Sequence, residues 1–118
     1  MTVHDKAHEL AKAIKNSGEY KNLAEANKTL LTDETAKKMV KDFFSRRVEL
    51  EAAALSGQEE DQGKVEQLKK IYELINLNSK ARDFLNAQMR LMQIVQDVHK
   101  ILGEALADVM EMDLFDDK

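Results

Sequence analysis

Cysteine and proline are absent from this chain of 118 residues, and glycine occurs only four times. The lack of cysteine excludes disulfides, zinc–thiolate sites, cysteine-ligated iron–sulfur clusters and thiol catalysis for this polypeptide. The lack of proline and the scarcity of glycine leave few turn signals, which favours long helices. The four glycines, Gly18, Gly57, Gly63 and Gly103, also form no glycine-rich phosphate loop.

Long hydrophobic runs are missing as well. No window approaches the roughly 20 apolar residues of a membrane-spanning helix, and the N-terminus lacks a basic start followed by an apolar run. We therefore expect a soluble, cytoplasmic protein. Its net charge of −4 is concentrated at the C-terminal end, where six acidic residues from Glu104 onward stand against Lys118 alone. Such an end repels nucleic acid and anionic lipid, so we expect neither as a direct partner.

Apolar residues recur at helical spacing, and 34% of the residues are charged. Thr2, Ser17, Asp33 and the pair Asn78-Ser79 supply N-cap chemistry, and Gly57 is suited to end a helix. The predicted helices cover about residues 3–16, 18–31, 34–56, 62–77 and 79–112. The fold class predicted is all-α: an elongated up-and-down bundle of about five helices with one very long C-terminal helix. Residues 1–112 form one helical domain, and residues 113–118 form an acidic, frayed tail.

The packing of these helices follows from their apolar content. The third and fifth helices carry the most, so we expect them to be the central pair, with the first two helices as a smaller layer. The residues expected to face inward on the third helix are Ala36, Met39, Val40, Phe43, Phe44, Leu50, Ala54 and Leu55. Those expected to do so on the fourth are Val65, Leu68, Ile71, Tyr72 and Ile75.

The final helix carries a heptad seam that is apolar at every position but Gln88. The seam positions are Ala81, Phe84, Gln88, Leu91, Val95, Val98, Leu102, Ala105, Val109 and Met112. Leu85, Met92 and Leu106 extend it on one flank, and Ala87, Ile94 and Ile101 on the other, so the helix should be covered from more than one side. At about 1.5 Å per residue it would be roughly 50 Å long, whereas a compact globule of this chain would measure roughly 35 Å.

That excess length predicts an elongated bundle, a second copy of the chain, or both. The predicted oligomer interface comprises Leu91, Val95, Val98, Leu102, Gly103, Leu106 and Val109. Gly103 costs about 1 kcal/mol relative to alanine inside a helix. With Ala105 and Ala107 it makes a patch of small residues, which either admits another helix closely or marks a mild bend.

Candidate chemistry is sparse. His4 and His8 lie four residues apart and could share a metal ion, but nothing nearby is compelled to supply further ligands. A metal-dependent enzyme using this pair and nearby acids is therefore an alternative hypothesis. His99 is either a base or an interface histidine. No Glu-x-x-His pattern of a di-iron bundle occurs. We predict no catalytic residue, no metal site and no cofactor.

Basic residues offer two further hypotheses. Arg47 lies near the apolar stripe of the third helix, where it pairs either with an acid of a partner or with Glu51 one turn on. An RNA-binding accessory protein is another hypothesis, in which two pairs of lysines contact phosphates. Acidic residues lie between these lysines, and no aromatic side chains are placed to stack on bases, which argues against it. These lysines are Lys37, Lys38, Lys69 and Lys70.

The spacing of the packing positions resembles the YlbF/YmcA/YheA-type family of small helical proteins from Gram-positive bacteria, over about residues 4–110. The matching positions are Tyr20-x-x-Leu23-x-x-Ala26, Leu30, Asp33-x-x-Ala36, Met39-x-x-x-Phe43, a Gly57 loop, Val65-x-x-Leu68 and Phe84-Leu85-x-Ala87-Gln88-x-Arg90-Leu91. The chain is most similar to the YheA-like branch. No functional residue of the family transfers to a numbered position here.

The resemblance implies an elongated helical bundle that associates through its long helices and is not an enzyme. Related proteins are subunits of a cytoplasmic complex affecting competence, biofilm formation, sporulation and messenger RNA processing, through an endoribonuclease and a phosphorelay. Those relatives carry cysteines implicated in iron–sulfur ligation, and this chain has none. The leading hypothesis is a non-enzymatic adaptor or regulator of the bacterial cytoplasm, with a second copy of itself, as a homodimer, and another protein as partners.

Overall fold

The protein, described by a computed structural model over residues 1–110, folds in that range into five α-helices and no strand. The helices are α1 (Val3–Lys15), α2 (Gly18–Leu31), α3 (Glu34–Leu55), α4 (Gln62–Asn76) and α5 (Ser79–Met110). The prediction of about five helices with a very long last one is therefore confirmed. The seam position Met112 and the acidic tail at 113–118 lie outside the described residues.

Each helix begins where a side chain accepts a hydrogen bond from a backbone N–H three residues on, which satisfies one of the free donors of the first turn. At α1 the arrangement is reciprocal, because Thr2 and Asp5 bond to each other's backbone N–H, both at 3.1 Å. Gly57 ends α3 with a φ of 81°, a value that suits glycine. The capping residues are Thr2, Ser17, Asp33, Asp61 and Asn78.

Helices α3 and α4 form an antiparallel hairpin. The Asn78 amide lies 3.8 Å from the Met39 sulfur at one end, and Arg46 donates to Gln67 at 2.8 Å in the middle. The hairpin closes at an ion pair of 2.7 Å between Glu49 and Lys64. Residue numbers rise along α3 as they fall along α4, which the short connection at residues 56–61 requires.

Helix α2 packs along the first part of α5, also antiparallel. Lys80 forms an ion pair of 3.9 Å with Asp33 just beyond the end of α2, whereas Tyr20, near its start, lies beside Phe84. The prediction of α3 and α5 as the central pair, with α1 and α2 as a smaller layer, is wrong. The most extensive pairs are α2 with α5 and α3 with α4. Apolar content indicates how much of a helix is buried, and it does not identify the neighbour.

The core lies where the end of α2, the starts of α3 and α5 and the end of α4 meet. Its buried members are Leu30, Ala36, Val40, Phe43, Ile75, Ala81 and Leu85, with Met39, Phe44, Leu68, Ile71 and Phe84 packed around them. The expectation that Ala54 and Leu55 are buried is wrong, since Leu55 is 91% exposed where α3 runs past the core. Tyr72, also expected inside, lies at the surface against the ring of Phe43.

The molecule is flat as well as elongated. Its radius of gyration is 18.3 Å, whereas a compact chain of 118 residues would have about 13.5 Å. The extents are 47 × 40 × 15 Å, so the molecule is about three times as long as it is thick. The accessible surface is 9303 Å², against about 6,500 Å² for a compact monomer of this mass. A helical molecule of this flat shape leaves many apolar side chains exposed on its surface.

Candidate interaction surface

The distal half of α5, residues 94–110, is left largely uncovered by the other helices of residues 1–110. Helix α2 has 14 residues and so spans about 21 Å, less than half of the roughly 48 Å of α5. Ala81 and Leu85, under α2, are buried, whereas every residue from 99 to 110 is exposed. Ile101 is 64% exposed and Val109 is 80% exposed.

The predicted interface residues lie along this uncovered half and the turn before it. Six of them form one stripe at helical spacing: Leu91, Val95 and Val98, which are half-buried, and Leu102, Leu106 and Val109, which are exposed. Gly103 lies beside the stripe, and a Cβ added there would meet no atom within 4 Å. The stripe could therefore receive another helix. Its assignment to an oligomer interface stays a prediction.

The apolar area is wider than that stripe. At roughly 100° per residue, Ile94 and Ile101 lie about a quarter-turn to one side, and Glu104 and Asp108 border them. The predicted interface omits Ile101, although its spacing of seven from Ile94 is the signal that places both on one flank. A single partner helix would leave this flank exposed.

Helix α1 presents a second uncovered apolar stripe. Its few contacts are chiefly with α2, and only Ile14 among its residues is even half-buried. The other apolar residues, Val3, Ala7, Leu10 and Ala11, are exposed. Within residues 1–110, no other helix covers this stripe.

Arg47 packs on aromatic rings. Its guanidinium carbon lies 5.7 Å from the ring centre of Phe43 and 5.0 Å from that of Phe44, the range of cation–π contacts. Its Nε is buried and has no hydrogen-bond partner within the described residues. The predicted pairing with Glu51 is therefore wrong, because the side chain lies across the rings instead of along the helix. An acid from a partner stays a prediction.

The clearest electrostatic effect lies at the Glu49–Lys64 contact between α3 and α4. The hydrogen bond from the Lys64 ammonium, with its charge, lowers the pKa of Glu49. The same contact raises the pKa of Lys64. Both groups are in water, so the contact joins two helices and creates no catalytic acid or base.

The residues considered for metal or RNA chemistry are not brought together. Within residues 1–110 no three histidine, aspartate or glutamate side chains converge as a metal site would require. His4 and His8 are exposed on α1, and His99 is exposed on α5. The pair Lys37-Lys38 lies at the core end of the α3–α4 hairpin, whereas Lys69-Lys70 lies near its middle. Within residues 1–110, no helix is long and apolar enough to cross a membrane.

Comparison with known proteins agrees with this architecture. A UPF0342 protein of Desulfitobacterium hafniense is 37% identical over 112 residues, which cover 95% of this chain and 90% of the relative. A UPF0342 protein of Caldicellulosiruptor saccharolyticus is 39% identical over 104 residues, covering 88% of this chain and 87% of the relative.

Two solved structures share the fold. A protein of unknown function (DUF964) from Bacillus stearothermophilus superposes with a TM-score of 0.76 at 22% identity. Bacillus subtilis RicA, solved in complex with RicF, gives 0.57 at 23% identity. Each likeness covers 92% of this chain and 96% of the other.

A family model extends the likeness along nearly the whole helical region. It is described as control of competence regulator ComK, YlbF/YmcA, and it matches residues 3–107, from the start of α1 to the last turn of α5. The match includes the uncovered half of α5 as well as the core. This chain belongs to the YlbF/YmcA family.

Proposed function

We propose that this protein is a non-enzymatic helical regulator of the bacterial cytoplasm that self-associates through the distal half of α5 and acts by binding another protein. The family description supports a place in the control of competence. A link to biofilm formation or RNA processing is an expectation from the family resemblance alone. In this proposal the stripe on α5 is the surface through which the protein binds. No chemistry beyond binding is required of it.

The uncovered apolar stripe is the observation that carries this proposal. Fully burying an exposed leucine, isoleucine or valine side chain is worth about 1.5–3 kcal/mol. In the isolated chain Leu102 and Leu106 forgo about half of that gain, and Val109 forgoes most of it. Contiguous exposed apolar patches on otherwise polar proteins mark interaction sites.

The spacing of the stripe suits pairing of two identical helices in antiparallel directions. Val95 and Val109 lie seven residues to either side of Leu102, and Val98 and Leu106 lie four to either side. In a two-fold dimer the same patch serves both copies, so Leu102 faces Leu102 of the second copy at the axis. Gly103, with no side chain, permits close approach of the two helices.

A different protein as additional partner is supported by the solved relative. RicA shares this fold and was solved in complex with RicF. By analogy, this chain docks a second protein on a helical surface that the fold leaves open.

Leu102→Glu tests the self-association surface. A carboxylate at the axis would meet its symmetry mate in an apolar contact. The dissociation constant of the dimer, measured by sedimentation velocity, should therefore rise at least tenfold. Gln96→Glu is the matched control, because it adds the same charge to an exposed, off-stripe position of the same helix. Equal association of the two variants would place the interface elsewhere.

Capture of tagged protein from its own host, after gentle crosslinking, tests the regulatory role. We expect a second protein species to be recovered with the wild type and with Gln96→Glu, and to be lost with Leu102→Glu. Recovery of only the protein itself in all three samples would contradict the adaptor role.

A further inference from the structure

Helix α1 is a well-formed element whose apolar side has no covering helix within residues 1–110. A helix of 13 residues is marginal in water without packing, because few hydrogen bonds offset the cost of nucleation. Its N-terminal capping box and its stripe of Val3, Leu10 and Ile14 are the features of a helix that is covered by another surface.

The position of α1 indicates where that surface lies. Helix α2 is antiparallel to α5, so the start of α2, where α1 joins, lies toward the distal half of α5. Both α1 and that distal half therefore leave the same end of the α2–α5 pair. We call α1 and the distal half of α5 together the fork. Each of these two helices carries an apolar stripe that the other described helices leave largely exposed.

A second copy paired through the α5 stripe would bring its own distal half of α5 into this fork. The α5–α5 contact covers the stripe centred on Leu102 and leaves the Ile94–Ile101 flank open. Helix α1, about 20 Å long, fits against the roughly 26 Å of residues 94–110. The accessible surface exceeds that of a compact monomer by about 2,800 Å² per chain, from 9303 Å² less about 6,500 Å², which shows how open the single chain is.

Charge agrees with this placement. Antiparallel pairing puts the C-terminal end of the second copy's α5, with Glu104 and Asp108, at the base of the fork. The last turn of α1, with Lys12 and Lys15, lies there. None of these four residues forms an ion pair within residues 1–110. The two acids border the flank that α1 would cover.

We propose that α1 of each copy clasps the Ile94–Ile101 flank of the second copy's α5, so that each distal half of α5 lies between the other copy's α1 and α5. This clasp rests on the proposed self-association through α5. In this arrangement α1 belongs to the contact between the two copies as well as contacting α2 of its own copy. The two contacts are separable by experiment.

The absence of cysteine from the chain makes disulfide trapping free of background. A tagged Leu10→Cys copy is mixed with an untagged Ile101→Cys copy, equilibrated at high concentration and oxidised. The clasp predicts a mixed disulfide dimer on a non-reducing gel, since contacting residues meet the Cα separation of about 4.4–6.8 Å that a disulfide needs. His8→Cys in place of Leu10→Cys is the control, because it lies on the opposite side of α1, and it should give at least tenfold less product.

Leu102→Cys, which should crosslink to itself at the two-fold axis, separates the clasp from the α5 pairing. If Leu102→Cys crosslinks and the Leu10–Ile101 pair does not, the clasp is overturned and the self-association stands. A chain carrying both Leu10→Cys and Ile101→Cys that closes only an internal disulfide would also overturn the clasp. If Leu102→Cys fails and the chain is monomeric, both proposals fall.

Discussion

Ile75 and Leu102 are both aliphatic residues on the apolar side of a helix, yet their surroundings are opposite. Ile75 is fully buried where α4 reaches the core, whereas Leu102 is 51% exposed on α5. The difference depends on whether another helix of the same chain covers the residue. Apolar periodicity alone gives the two positions the same prediction.

Ile75→Ala should lower the free energy of unfolding by about 2–5 kcal/mol, because it removes buried methyl groups and leaves a cavity at the meeting point of four helices. Leu77→Ala, two residues on and 84% exposed, should change it by less than about 0.5 kcal/mol. Urea titration followed by circular dichroism measures both. Equal losses would contradict the placement of the core.

Gly103→Ala has effects of opposite sign on the single chain and on the assembly. In the single chain the added methyl group meets open space, so helix propensity should raise stability by about 1 kcal/mol. In the proposed α5 pairing the same methyl group holds the two helices apart. We therefore expect weaker self-association in a sedimentation dilution series, and unchanged or tighter association would contradict close approach at Gly103.

At the scale of the helices, local chemistry was predictable from the sequence. Thr2, Ser17, Asp33 and Asn78 each cap a helix as predicted, because a side-chain oxygen reaches a backbone N–H three residues on whatever the rest of the chain does. The pairing of helices was not, since it depends on contacts between residues far apart in sequence. Arg47 shows the same limit: its pairing with Glu51 was a local expectation, and two aromatic rings displaced it.

The contact between Glu49 and Lys64 gives the α3–α4 hairpin a pH dependence. The pKa of Glu49 is lowered in the folded state, so its contribution is present above the unfolded-state pKa and is lost as pH falls through the folded-state pKa. The pKa of Lys64 is raised, so its contribution is lost only as pH rises through that raised value.

Glu49→Gln should therefore be less stable than the wild type at neutral pH, and the difference should vanish once the carboxyl is protonated. Denaturation midpoints of the two proteins across the acid range would show this, and added salt should shrink the difference. Glu51→Gln, on the same helix and without an ion pair in the described residues, is the control. A difference that persists at acid pH would contradict an ionic origin.

At the scale of the whole molecule, the flat shape explains why the uncovered apolar surface could be predicted only in part. The length of the last helix is readable from its heptads, and the 47 Å extent confirms that it outruns a globule. That α3 pairs mainly with α4, and that most of the distal half of α5 is left uncovered, follows from the three-dimensional path of the chain. The Leu91–Val109 stripe was therefore predictable, while the fork between α1 and α5 was not.

The mass of the untagged protein in solution tests the central claim most directly. Light scattering over a dilution series should give twice the chain mass of 13.5 kDa at micromolar concentrations, falling toward the single-chain mass on dilution. A well-folded monomer that keeps the single-chain mass at high micromolar concentration would contradict self-association through α5.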